Sequence, residues 1–239
     1  AVFSAGSTGA TLISAITILG KQKGVIRPAI ASVLPTINGS VILLDSGASL
    51  DVKPKVLYQF AVIGSKLAEV LLDIDAPRVG LLNNGEEESK GRDLEKSAYK
   101  LLSSSNLNFI GNVEGRDFAN EKVDVFVTDG FTGNVVLKTL EGTARLQQKL
   151  ISDSLNRNLL KPLRPIVKNA FKPVKDKLNP DKTNASYLLG VDGLVTIGHG
   201  SSKQEAIKNG IKYTSSSIQK DFIGKFSETL KELWITFLI

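Results

Sequence analysis

At 239 residues, with 42% hydrophobic and 23% charged side chains, the chain has the composition of a globular domain large enough to bury a sizeable core. It has no cysteine and one histidine, His199, which excludes disulfides, thiolate metal sites, cysteine nucleophiles and multi-histidine metal centres. The net charge of +6 is local: eight cations and two anions lie between Arg157 and Lys182, and the remainder of the chain is neutral. No apolar run approaches the roughly 20 residues that span a bilayer, and no basic start precedes an apolar core, so a cytoplasmic address is expected.

The opening Ala-Val-Phe-Ser-Ala-Gly reads as the end of a strand running into a glycine loop. With no initiating Met before it, further residues are expected to precede Ala1. Gly9–Gly20 follows as a helix. Continuous apolar runs at Ser40–Asp45, Arg78–Asn83, Asn108–Gly111 and Val123–Asp129 predict strands buried on both faces of a parallel sheet. Between them, Lys53–Asp73, Gly91–Ser104 and Gly133–Asn156 predict helices. This alternation predicts a single α/β domain, three-layered and doubly wound around a mostly parallel sheet. From Leu155 to Pro180 the composition shifts to Lys, Leu and Pro, a protruding basic helical insertion. Tyr187–Gly200 then reads as a last strand and Ser202–Leu230 as a closing helix. There is no internal repeat.

Four loops share one design, a strand end, then glycine with Ser, Thr or Asn, then a helix start. They are Ser4–Gly9, Asn83–Glu86, Asp129–Asn134 and His199–Ser202. Glycine admits close approach of backbone amides, and a helix N-terminus offers unpaired N–H groups and partial positive charge. Loops of this kind gather at the carboxyl edge of open α/β sheets, so they are expected to converge on a phosphate or carboxylate. Taken singly, each is equally explained as an ordinary capped turn. No Walker A loop and no GxGxxG fingerprint is present, which argues against an NTPase or a Rossmann dehydrogenase. Lys90 is either a solvated residue of a first helical turn or a clamp reaching into the site. Asn134 is either a loop amide or a donor to a developing oxyanion. Asp129 could cap a helix, His199 could bond locally, and Arg116 could simply pair with Glu114 or Asp117.

Seven segments carry a resemblance: SAGSTGA (Ser4–Ala10), KGVIRPAIASVLPTINGS (Lys23–Ser40), LLDSGASLDVKP (Leu43–Pro54), PRVGLLNNGEEESKG (Pro77–Gly91), NFIGNVEGRD (Asn108–Asp117), TDGFTGNVVLKTLEG (Thr128–Gly142) and LLGVDGLVTIGHGSS (Leu188–Ser202). In order and approximate spacing they resemble the phosphate acyltransferase family of bacterial phospholipid synthesis, commonly called PlsX. The resemblance covers almost the whole chain. It implies the α/β fold shared with phosphotransacetylases and isocitrate-type dehydrogenases. It also implies transfer of a long-chain acyl group from acyl carrier protein to inorganic phosphate. The acyl phosphate would feed a membrane glycerol-3-phosphate acyltransferase. A homodimer is implied, with no metal and no organic cofactor. The family's N-terminal segment, with its DAxGGD-type strand and loop, has no counterpart here, Ser7 stands where the family has Asn, and Ser46 where it has Val. Two other readings are a phosphotransacetylase-like enzyme using acyl-CoA and an inactive binding or scaffold module.

The chemistry needs no protein nucleophile, because phosphate is itself nucleophilic near neutral pH. The protein must position a polyanion and stabilise charge on the thioester oxygen. Lys90 and Asn134 are the expected catalytic pair. Ser4, Gly6, Ser7, Thr8, Gly9, Arg116, Thr132, Gly133, His199 and Ser201 are the expected phosphate and substrate contacts.

In the basic insertion, Arg157, Lys161, Arg164, Lys168, Lys172 and Lys175 recur every three or four residues, and apolar residues follow the same period opposite. Pro162, Pro165 and Pro173 predict short helices joined by a bend. Such a stripe could be a solvated face supporting dimerisation. It could also lie on anionic lipid or dock the acidic carrier protein. Nucleic acid is not an expected partner, since aromatic residues are scarce along the stretch.

Overall fold

The computed structural model describes residues 1–155, 164–177, 185–200, 202–219, 221–222 and 224–226. Its elements in chain order are β1 (Val2–Ser4), α1 (Thr8–Ile18), β2 (Ala29–Pro35), β3 (Ser40–Leu44), α2 (Pro54–Leu72), β4 (Val79–Leu82), α3 (Asp93–Ser103), β5 (Phe109–Val113), a 3₁₀ turn (Gly115–Ala119), β6 (Val125–Val127), α4 (Gly130–Leu155), α5 (Arg164–Lys177), β7 (Ser186–Leu189), β8 (Val195–Ile197) and α6 (Gln204–Gln219). The strands form one sheet in the order β1-β8-β7-β2-β3-β6-β4-β5.

Three of the four apolar runs become largely buried strands, β3, β4 and β6, as their lack of alternation requires, whereas β5 lies at the sheet edge and is only partly buried, with Ile110 40% exposed. β3, β6, β4 and β5 are mutually parallel, and β1 runs parallel to β8. Between these two groups β2 and β7 insert antiparallel to their neighbours. β3 to β7 therefore point one way and β1, β2 and β8 the other. The sheet is mixed and mostly parallel, within the expected α/β class. Two strands depart from the sequence reading. β2 went unread although Asn38-Gly39 marks its turn into β3, closed by a Thr36 N–H to Gly39 carbonyl bond of 3.0 Å. The expected single strand over Tyr187–Gly200 is a hairpin, β7 and β8, folded at Gly190, whose φ of +86° suits glycine.

Helices cover both faces. On one, α2 and α3 seal a core that includes Leu44, Phe60, Leu67, Leu81, Val125 and Tyr187, all less than 1% exposed. On the other, Leu12 and Ile16 of α1 and Leu19 just after it pack on Ile30, Leu188 and Ile197, while Val136 and Leu137 of α4 pack on Leu43, Phe118 and Phe126. The gap between α1 and α4 leaves part of this second face uncovered. Pro173 lies inside α5, which runs on to Lys177. Lys177 at its end donates to the Ile37 carbonyl at 2.6 Å, tying it to the β2–β3 turn.

At the foot of β6, Asp124 accepts from the Arg78 N–H at 2.8 Å and from its guanidinium at 2.8 and 2.9 Å. Desolvation pushes the Asp124 carboxyl up, but Arg78 outweighs it and holds the group below the ordinary carboxylate range. A folded-state value below the unfolded one stabilises the fold above the unfolded carboxylate pKa of about 4 and is lost as the pH falls through the folded value. Asp124→Asn is therefore expected to be less stable than the parent at pH 7. Urea titrations at successive pH values should show the two curves converging below about pH 4.

Candidate active site

The uncovered stretch of sheet is the floor of a cavity of about 430 Å³. One wall is the β1–α1 loop, Gly6, Ser7 and Thr8, and a second is the β8–α6 loop at Gly198, His199 and Gly200. Gly47 closes the end above β3, and α4 supplies Asn134, Leu137, Lys138 and Glu141. These α4 residues recur at helical spacing, so they share one stripe of the helix. The floor is hydroxylic. Ser32 of β2 bonds Ser46 at 2.8 Å and Ser186 at 2.9 Å, and Ser46 donates to the Ile30 carbonyl at 3.0 Å.

The strand directions explain why the site lies across a sheet face. Because β2 and β7 insert antiparallel, the loops after β1 and β8 leave at the opposite end from those after β3, β4 and β6. The four glycine loops do not gather at one carboxyl edge as expected. Two of them meet the first turns of α4 over the middle of the sheet instead.

α4 is held there by close backbone packing. Asp45, fully buried at the end of β3, accepts the N–H groups of Ile30 at 2.9 Å, Gly47 and Ala48 at 3.0 Å and Ser49 at 2.7 Å. Burial pushes its carboxyl above the ordinary range, and these N–H groups pull it back. The loop thus gathered lies against the start of α4, where the Gly130 N–H donates to the Ser49 carbonyl at 2.8 Å. A Cβ on Gly133 would come 1.9 Å from the Asp45 carbonyl oxygen, so only glycine permits this approach. Asp129 caps the helix, accepting the Thr132 N–H at 2.8 Å and its hydroxyl at 3.0 Å. Arg92 reaches across from the β4–α3 loop to Asp129 at 2.5 Å and also pairs with Glu95. These two carboxylates hold the Arg92 guanidinium pKa even higher than usual.

Of the residues singled out from sequence, Gly6, Ser7, Thr8, Asn134 and His199 line the cavity. Ser4 supports the loop from behind, bonding Thr11 at 2.9 Å and accepting the Gly6 N–H at 3.3 Å. Gly9 lies within the first turn of α1. Thr132 and Gly133 serve the cap and the close approach of α4. Lys90 shares its sheet edge with Asn134 but is not a lining residue; its ammonium lies 3.9 Å from Glu87. Arg116 pairs with Glu114 at 2.6 Å and lies beside a different cavity. Ser201 lies outside the described residues. Among the described residues no group of His, Asp and Glu side chains is arranged to hold a metal.

Sequence reasoning missed Lys138, Glu141 and the three floor serines. Lys138 Nζ lies 3.1 Å from His199 Nε2 and 3.0 Å from Glu141, and Glu141 lies 3.7 Å from the same imidazole. The signal for Lys138 was present in its spacing of one helical turn from Asn134. Ser46, noted only as a departure from Val, is bonded into the floor.

A cationic side chain, an imidazole, a carboxamide, hydroxyls and a helix start around one concave face define an α/β protein suited to holding a small oxyanion. The profile of the family described as fatty acid synthesis protein matches residues 1–225, and the chain belongs to that family. It is 44% identical to the phosphate acyltransferase of Thermoanaerobacterium thermosaccharolyticum, covering 97% of this chain and 70% of that protein. It is 43% identical to that of Geotalea uraniireducens, covering 97% and 67%. The fold is similar to the EutD phosphotransacetylase from Staphylococcus aureus (TM-score 0.57, 14% identity, 90% of this chain and 62% of that one). It is also similar to a branched-chain phosphotransacylase from Enterococcus faecalis (TM-score 0.54, 12% identity, 83% and 65%). The chain thus spans somewhat less than two thirds of these two solved proteins.

Gly133→Ala is expected to push α4 off the Asp45 loop. The overpacking should cost about 1–3 kcal/mol, a fall in Tm of roughly 2–10 °C in thermal unfolding.

Proposed function

We propose that the protein transfers an acyl group from a thioester to inorganic phosphate, releasing the thiol and forming an acyl phosphate. The observation that carries this reading is the cluster of Lys138, His199 and Asn134 above a serine floor, in a chain of the fatty acid synthesis protein family. Phosphate binds against the Lys138 ammonium, the Ser7–Thr8 helix start and the floor hydroxyls. One phosphate oxygen attacks the thioester carbon, and charge develops on the carbonyl oxygen. Asn134 donates to that oxygen, the C–O bond to phosphate forms, the C–S bond breaks, and the sulfur leaves with the electron pair. Glu141 orients Lys138 and His199. The clamp expected at Lys90 falls, on this reading, to Lys138. A charge-assisted contact of this kind is worth roughly 10–100-fold. Lys138→Ala is expected to lower kcat/KM for phosphate by that factor in a thiol-release assay, and Lys90→Ala by less than about threefold. The reverse ranking would return the clamp to Lys90.

The acyl donor we infer is acyl carrier protein, and the chain works as a homodimer at the membrane surface. Its product passes to a membrane glycerol-3-phosphate acyltransferase. Among the described residues no helix is long and apolar enough to cross a membrane. α5 supports a peripheral contact: Ile166, Phe171 and Val174 are exposed apolar side chains beside exposed Lys168, Lys172 and Lys175. Arg157 and Lys161 lie outside the described residues, as does the side chain of Arg164. Each surface lysine is worth about 1 kcal/mol at an anionic bilayer. Replacing Lys168, Lys172 and Lys175 together by Glu should lower co-sedimentation with anionic vesicles on the order of a hundredfold. Equal binding of the parent to zwitterionic vesicles would overturn the electrostatic contact.

A further inference from the structure

The serine floor of the cavity has a direction as well as a polarity. Three contacts join its hydroxyls: Ser186 to Ser32 at 2.9 Å, Ser32 to Ser46 at 2.8 Å, and Ser46 to the Ile30 carbonyl at 3.0 Å. Ser32 and Ser46 are buried, Ser186 is half-buried, and all three line the cavity. A serine hydroxyl has one proton to give and two lone pairs to receive with, whereas a carbonyl oxygen only receives. The Ser46 proton therefore lies toward Ile30, whose carbonyl also accepts the Ser46 N–H at 2.8 Å. Ser46 then accepts from Ser32, and Ser32 accepts from Ser186. In the reverse direction, the Ser46 hydroxyl and the Ile30 carbonyl would face each other at 3.0 Å with no proton between them. Buried polar atoms are rarely left in that state. Three protons thus fill three bonds, and none is left over for a ligand.

The floor consequently presents lone pairs alone, with Ser186 at the open end of the chain. Elsewhere the cavity is lined by donors, the Lys138 ammonium, the Asn134 carboxamide and the helix start at Ser7 and Thr8. An oxyanion that satisfies both must accept hydrogen bonds on one side and donate one proton on the other. Sulfate has no proton to donate near neutral pH, whereas the phosphate dianion has one. We propose that Ser186, polarised through Ser32 and Ser46, accepts the P–OH hydrogen bond of monoprotonated phosphate and separates phosphate from sulfate. With the protonated oxygen held on the floor, the ionised oxygens are left for the donors and for attack on the thioester. That the anion is a reactant rests on the phosphate-transfer reading, while the direction of the serine chain follows from its hydrogen bonds alone.

Sulfate in this cavity either sets an oxygen against the Ser186 lone pairs or reverses the chain and gives up the Ser46 bond to Ile30. A buried hydrogen bond left unmade in this way is worth roughly 10–100-fold in affinity. The test compares inorganic phosphate with sulfate at mildly alkaline pH, where both are dianions. Binding is measured by calorimetric titration, and sulfate is added as a competitor in phosphate-dependent thiol release. The parent is expected to bind phosphate at least about tenfold more tightly than sulfate. Ser186→Ala removes the accepting oxygen and should weaken phosphate about tenfold with sulfate nearly unchanged. Ser46→Ala removes the far end of the chain, so Ser32 turns its proton to Ser186 and Ser186 turns its own to the cavity. Sulfate should then tighten about tenfold with phosphate little changed, although Ser46 donates nothing to the ligand. A merely structural role would move both anions alike. Should one alanine variant fail to fold, the other variant and the parent's own phosphate-to-sulfate ratio still decide. Equal loss of both anions in the variants, or a Ser46→Ala protein that keeps the parent's preference, would overturn the polarised floor. An active parent that binds sulfate as tightly as phosphate would overturn the floor and leave phosphate transfer intact. A parent that prefers phosphate but releases no thiol with it would overturn the transfer reading and leave the floor standing. A parent that binds neither anion and releases no thiol would overturn both.

Discussion

The buried carboxylate of Asp45 is the interaction on which the architecture of the site depends. One side chain collects N–H groups from two directions, Ile30 on β2 and the turn Gly47–Ser49 after β3. It thereby fastens the antiparallel β2 to the parallel half of the sheet at the place where the chain would otherwise fray. A charge with no water around it is tolerable only because several donors replace the water. The turn it builds is also the surface on which α4 begins.

From that anchor the remainder follows by packing. Gly130 and Gly133 let α4 descend onto the Asp45 turn, and Asp129 and Arg92 lock its first turn from the other side. The helix then crosses the sheet face instead of standing at its edge, which brings Asn134 and Lys138 toward His199 in the loop after β8, a strand of opposite direction. The reversed strands are what allow loops from both ends of the sheet to contribute to one cavity.

Much of this was legible in the amino-acid order. Unbroken apolar runs such as Val79–Leu82 and Val125–Val127 announced buried strands, and the glycine loops at Ser4–Gly9 and His199–Ser202 supply residues that line the cavity, among them Ser7, Thr8 and His199. β2 was not legible as a strand because Ala29–Pro35 follows Pro28, ends on a proline and carries two alanines and a serine. Its direction, which governs where every loop goes, is a tertiary property that local pattern does not encode. Lys90 looked like the clamp because it follows a glycine loop in sequence. Lys138 stands in a helical run where only its phase relative to Asn134 distinguishes it. The floor serines come from β2, the turn after β3, and β7, segments far apart along the chain, and no motif joins them.

A single helix, α4, borders both the polar cavity and a second, mainly apolar concavity beside Phe118, and Leu137 and Glu141 belong to each. Occupancy on one side that tilts or steadies α4 changes the free energy of occupancy on the other, and thermodynamic reciprocity makes the two effects equal. A ligand in either space that shifts α4 is therefore felt in the other.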